Sequence, residues 1–101
     1  MLNSRQRAQL RGLANSLTPV FQVGKGGVNE QLIKQTDEVL EARELIKIRA
    51  LETSPETPRE ASEKIAAAVK ADVVQVIGGV MVFYRRSEQK VPKDKRIKLV
   101  K

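Results

Sequence analysis

From Leu45 to Leu51 the chain alternates: Ile46, Ile48 and Ala50 fall on one side of an extended backbone, and Lys47 and Arg49 on the other. That is a strand with one core face and one cationic face, so whatever this chain folds into must contain a sheet. The segments on either side then have to supply what covers it.

They read as helices and further strands. Leu10, Leu13, Ala14 and Leu17 recur at helical spacing within residues 4–17, with Asn3 or Ser4 as the cap and Pro19 beyond the end. Arg7 and Arg11 share one face of that helix, which the spacing turns away from the leucines. Val20-Phe21-Gln22-Val23 is a short strand bounded by Pro and Gly. A second helix starts near Asn29, buries Leu32, Ile33, Thr36, Val39 and Leu40, and closes on the polar residues Glu41, Arg43 and Glu44. The third helix carries the clearest start signal: Thr57 as N-cap, Pro58 at the first helical position and Glu60 where a capping box needs it. It should end near Ala71-Asp72. Val73–Ile77 and Val80–Tyr84 flank Gly78-Gly79 and predict an antiparallel hairpin. The order α-β-α-β-α-β-β predicts an α/β domain, a mixed four-stranded sheet packed with helices, over residues 2–86. Residues 87–101 follow as a basic C-terminal tail, in which Ile97, Leu99 and Val100 either form one more short strand or dock on the body.

Composition restricts the chemistry. There is no cysteine and no histidine, which removes disulfides, thiolate and imidazole catalysis, and Cys/His zinc sites together. With aromatics at 3%, the core is built from Leu, Ile, Val and Ala. The N-terminus lacks the apolar stretch of a signal peptide, and no run approaches a membrane span, so a cytoplasmic protein is expected. The net charge of +7 is unevenly placed: +3 over residues 1–50, −2 over 51–83 and +6 over 84–101. A surface cationic at both ends of its chain suits a polyanion.

Gly24-Lys25-Gly26-Gly27 lies between a strand and a helix, where glycines can turn tightly and offer backbone N–H groups beside a helix N-terminus to phosphate. It reads equally as a flexible turn with no ligand. It is not a P-loop, because Val28 stands where Lys is required, and Asn29 replaces the third glycine of a dinucleotide fingerprint. Lys47 and Arg49 form either a solvated strand face or a second phosphate contact. Arg85, Arg86 and the tail residues Lys90, Lys93, Lys95, Arg96, Lys98 and Lys101 are the densest charge. Tyr84 is a sheet-packing residue or a base-stacking one. No catalytic set is present: the serines have no histidine to activate them, and Asp37, Glu38 and Glu41 are most simply a solvated helix face, a metal-dependent nuclease being the remote alternative.

The runs Arg11-Gly12-Leu13-Ala14-Asn15-Ser16-Leu17-Thr18-Pro19-Val20, Val23-Gly24-Lys25-Gly26-Gly27-Val28, Glu44-Leu45-Ile46-Lys47-Ile48-Arg49 and Gln75-Val76-Ile77-Gly78, with Phe83-Tyr84-Arg85-Arg86, follow one another as in a CRM domain (chloroplast RNA splicing and ribosome maturation). The chain resembles the bacterial single-domain, YhbY-like members of that family over residues 2–86. The resemblance implies a fold similar to the C-terminal domain of a bacterial translation initiation factor, and an RNA-binding protein; the missing catalytic set leads us to expect no enzyme, cofactor or metal, and the small apolar surface a monomer. Its partner would be structured RNA, large-subunit ribosomal RNA or its precursor particle. The RNA-binding residues would be Gly24, Lys25, Gly26 and Gly27 of a GxxG loop, with Lys47, Arg49, Arg85 and Arg86, and Arg7 and Arg11 on the first helix. The competing expectation is a protein-interaction module anchored by Ile97, Leu99 and Val100 on a ribosomal or other acidic protein.

Overall fold

The computed structural model describes residues 2–87 and 97–100. Helix α1 spans Ser4–Ala14, strand β1 Pro19–Val23, helix α2 Glu30–Arg43, strand β2 Leu45–Ala50, helix α3 Pro58–Val69, strand β3 Asp72–Ile77 and strand β4 Val80–Tyr84. The order and type of every element match the sequence pattern, and the sheet is mixed and four-stranded in the order β1-β2-β4-β3. β1 runs parallel to β2, while β4 is antiparallel to both its neighbours.

Local chemistry sets the helix ends. Asn3 and Gln6 exchange side-chain-to-backbone bonds of 2.8 and 3.1 Å at the start of α1. The Asn29 side chain accepts from the Leu32 N–H at 2.8 Å to start α2. Thr57 and Glu60 form the expected capping box on α3, with bonds of 3.1 and 2.9 Å. Two ends come earlier than the periodicity predicts. α1 stops at Ala14, so Leu13 is left exposed on its last turn, and α3 stops at Val69, where Lys70 adopts a left-handed conformation (φ 58°).

Strand alternation divides the core in two. Ile46, Ile48, Met81 and Phe83 point to one face, where Leu32 and Leu40 of α2 and Ile65 and Val69 of α3 cover them. Phe83, Ile48 and Ile65 are fully buried there, and side chains of this kind each contribute roughly 1.5–3 kcal/mol. Leu45, Val82 and Tyr84 point to the other face, under Leu10 and Ala14 of α1, with Ile97 and Leu99 packed beside them. Tyr84 is therefore a core residue, and burial pushes its phenol pKa up. The stretch from Lys98 to Val100 is tied to α1: Gln9 donates to the Lys98 carbonyl and accepts from the Val100 N–H, both at 2.8 Å, and Gln6 donates to the Val100 carbonyl at 2.9 Å.

The polar end expected of α2 is partly a buried one. Glu44, the C-cap, has φ 67° and only 1% exposure. A single residue separates α2 from β2, so it has no room to turn outward, and its carboxylate meets the chain that follows β4 instead.

Candidate nucleic-acid interface

Because β1 and β2 are parallel, both end at the same edge of the sheet, and β4 begins there. Three connections therefore meet: Gly24–Gly27 after β1, residues 51–57 after β2, and the Gly78-Gly79 hairpin before β4. The Leu51 N–H reaches back to the Val23 carbonyl at 2.9 Å, and the Gly79 carbonyl accepts from Ala50 at 2.7 Å, which fixes all three together.

The glycine loop is a four-residue turn closed by the Gly27 N–H on the Gly24 carbonyl at 2.9 Å. Lys25 and Gly26 are exposed at its tip, whereas Gly27 is buried with φ +64°. Glu56 supports the loop from beneath. One carboxylate oxygen accepts from the Val28 N–H at 3.3 Å and the other pairs with Lys64 at 3.1 Å. The Lys64 bond, opposed in part by desolvation and helped by the Val28 bond, holds the Glu56 pKa below the usual carboxylate value. The anion-attracting position beside α2 is thus already met by the protein's own carboxylate and by Asn29. What remains for a ligand is the outer tip, Lys25 and Gly26.

Arg49 is exposed and Lys47 half-buried on the sheet face opposite α2 and α3. α1 and residues 97–100 cover only part of that face, over Leu45, Val74, Val82 and Tyr84, and leave the part next to the glycine loop open. The structure thus brings Lys25, Lys47 and Arg49 to one side of the molecule.

The other cations sit elsewhere or are engaged. Arg85 and Arg86 follow the far end of β4, and a strand the length of β2 separates them from Arg49 by about 16 Å. Arg85 donates to the Asp37 carboxylate at 2.5 Å, the Asp37 carbonyl at 2.9 Å and the Val69 carbonyl at 2.8 Å, joining β4 to α2 and the end of α3. Arg86 is exposed. Arg7 does not project away from the leucines as expected: it lies on the side of Leu10 and Ala14, the buried residues of α1, reaches the sheet and donates to the Val73 carbonyl at 2.5 Å, where β3 is bulged between Val73 and Gln75. Arg11 is exposed. Of the tail cations, Lys98 is exposed, and Lys90, Lys93, Lys95, Arg96 and Lys101 lie outside the described residues. Ile97 and Leu99, the anchor expected of a protein-interaction module, are packed on the chain's own core, with Val100 outside it.

Two residues matter that sequence reasoning passed over. Glu56 carries no motif, and its place under the loop follows only from the pairing of β1 with β2. Glu44 carried one signal, the missing linker between α2 and β2. Among the described residues no group of three or more acidic, His or Cys side chains could hold a metal ion, and no helix is long and apolar enough to cross a membrane.

A family model, CRS1 / YhbY (CRM) domain, matches residues 2–85. The chain is 45% identical over 89 residues to "Probable RNA-binding protein YqeI" of Bacillus subtilis, covering 88% of this chain and 93% of that one. It is 35% identical over 88 residues to an "RNA-binding protein" of Haemophilus influenzae, covering 87% and 89%. The solution structure of a hypothetical protein of Staphylococcus aureus superimposes with a TM-score of 0.78 at 43% identity, over 99% of this chain and 100% of that one.

Proposed function

The chain belongs to the CRS1 / YhbY (CRM) domain family, and from that membership we propose that it is a non-catalytic RNA-binding protein acting on structured RNA. Its target in this reading is ribosomal RNA of the large subunit, met in the cytoplasm during assembly or maturation of the precursor particle. The likeness to the C-terminal domain of a translation initiation factor belongs to the same reading.

The observation that carries it is the continuity of the glycine-loop tip with the open cationic part of the sheet. Lys25 at the tip, and Lys47 and Arg49 on β2, form one positive surface beside a loop with little side-chain bulk. Glycine at Gly24 and Gly26 lets a sugar-phosphate backbone come close, and the lysines and arginine supply the counter-charge. The relatives named as RNA-binding proteins support the same partner. Tyr84 is buried, and Phe21 and Phe83 pack with the α2/α3 core, so recognition rests on shape and backbone rather than on aromatic stacking.

The test is crosslinking in growing cells followed by sequencing of the attached RNA. Fragments concentrated in one region of large-subunit ribosomal RNA, and lost with Lys25→Glu, are the expected result. Fragments scattered over all transcripts, or none above background, would sink the assembly reading.

A further inference from the structure

On the partly covered face of the sheet, four residues stand side by side, one from each strand. Gln22 of β1 pairs in register with Arg49 of β2, Arg49 with Val80 of β4, and Val80 with Ile77 of β3. Their neighbours in sequence, Val23, Ala50, Met81 and Val76, belong to the core on the other side, so strand alternation puts all four on the open face. α1 does not reach this row. Gln22 and Arg49 are exposed, Val80 is half-buried, and Ile77 is 63% exposed, the most exposed large aliphatic among the described residues. Beside Gln22 and Arg49 the surface dips into an open hollow of about 680 Å³, lined also by Pro19, Val20 and Phe21.

The row is chemically graded: a carboxamide and a guanidinium at one end, two bare aliphatic side chains at the other. None of the four is acidic, and the row lies next to the strand end from which Gly24–Gly27 departs. A surface that served only to attract phosphate would have no use for a bare isoleucine. A fully paired RNA helix presents sugars and phosphates to such a shelf, and its base faces are hidden in the stack. An unpaired nucleotide offers what the row can use: an apolar base face for Val80 and Ile77, and polar edges for the amide of Gln22 and the planar fork of Arg49.

We propose that this row receives one unpaired nucleotide of a structured RNA whose adjoining backbone lies on the glycine-loop tip. The inference rests on the RNA-binding reading and adds to it a discriminating element: the loop and Lys25 supply affinity for any RNA backbone, and the row selects helices interrupted by a bulge or a loop. Arg49 takes part in both, through its charge and through its fork.

The test compares two RNA hairpins of equal length, one fully paired and one carrying a single unpaired nucleotide, in titrations of the full chain. Wild type should favour the bulged hairpin by on the order of tenfold, the discrimination expected of one forked side-chain contact to a base. Gln22→Ala and Ile77→Ser change exposed side chains outside the phosphate-binding surface, so both proteins should fold and bind the paired hairpin as wild type does, with the preference gone. Lys25→Glu should weaken both RNAs alike. Equal binding of the two hairpins by wild type, or a preference unchanged by Gln22→Ala and Ile77→Ser, overturns the row while leaving an RNA-binding protein. Absence of binding to either hairpin at low salt overturns both readings.

Discussion

The carboxylate of Glu44 accepts a hydrogen bond from the backbone N–H of Ile97, 2.8 Å away and 53 residues later in the chain. Its second oxygen accepts from the Ser87 N–H at 2.7 Å, and its own carbonyl accepts from Arg85 at 2.9 Å. One side chain at the junction of α2 and β2 thus fixes both the exit of β4 and the return of the C-terminal segment, whose Ile97 and Leu99 complete the core under α1. Glu44→Ala should leave two N–H groups without that acceptor and lower stability by about 2–3 kcal/mol, hydrogen bonds to charged groups being the stronger kind. Urea denaturation checks the magnitude. Faster amide exchange at Ile97 and Val100, with α3 unaffected, checks that the loss is local.

Gly24 and Gly27 bracket the loop but should respond differently to alanine. A Cβ at Gly27 would lie 2.7 Å from the Glu56 carboxylate and 2.9 Å from the Pro55 ring, on a backbone at φ +64°. Gly27→Ala should therefore cost about 1–2 kcal/mol from the left-handed backbone alone, with displacement of Glu56 in addition. At Gly24 the new methyl would meet Leu51 and Thr53 only at 3.8 Å, an ordinary contact. Gly24→Ala should fold with wild-type stability yet bind RNA more weakly, because the methyl then obstructs the ligand and not the protein. Unchanged affinity in Gly24→Ala would mean that no backbone comes close at that glycine.

Arg85 and Arg49 are both cations near a strand end, yet their replacement should separate stability from binding. Arg85 joins Asp37 and the last carbonyl of α3, that of Val69, and its side chain is only 19% exposed. Arg85→Ala should lower stability by roughly 2 kcal/mol, mostly through the bonds it makes to two backbone carbonyls. Its RNA affinity per folded molecule should stay near that of wild type. Arg49→Ala should do the reverse, with the unfolding midpoint unmoved and the salt dependence of RNA binding less steep by about one phosphate contact. A matched pair of denaturation curves and salt titrations decides it.

These contrasts show where sequence reading reached and where it stopped. Lys47 and Arg49 were legible because alternation along one strand is a local property, fixed by the backbone and needing no partner. The capping box at Thr57 and Glu60 was legible for the same reason. Arg7 was not: it was expected to face away from the leucines, yet it stands three residues before Leu10 and seven before Ala14, on the side that α1 buries, and nothing in the chain near Arg7 announces the bulge in β3 that its guanidinium reaches. Glu44 reads as one more polar residue at the end of a helix until the Ser87 and Ile97 N–H groups are known to lie beside it. Asp37 looked like part of an acidic surface, and becomes a strut for Arg85 only once β4 lies beside α2. In each case the missing information is tertiary: the identity of the group that a long polar side chain can reach.

The start of α3 offers a test of pH dependence with a clear sign. Glu60 accepts from the backbone and side chain of Thr57, and these bonds hold its pKa below the ordinary 4.5. Glu56 is held below the same value, first by its bond to Lys64. A carboxyl that is more acidic in the folded chain than in the unfolded one stabilises the fold above 4.5, where both forms are ionised. That contribution is lost as pH falls through the folded-state value, since the unfolded chain takes up the protons first. Stability should therefore decline as pH drops below 4.5, and the loosened Glu56 should release the Val28 N–H under the glycine loop. Glu60→Gln keeps the capping-box geometry with an uncharged side chain. It should begin slightly less stable at neutral pH and decline less steeply on acidification, in unfolding midpoints measured from neutral pH down through 4.5. Parallel declines for wild type and Glu60→Gln would show that the cap carries none of the acid sensitivity, and would leave Glu56 as the carboxylate to test next.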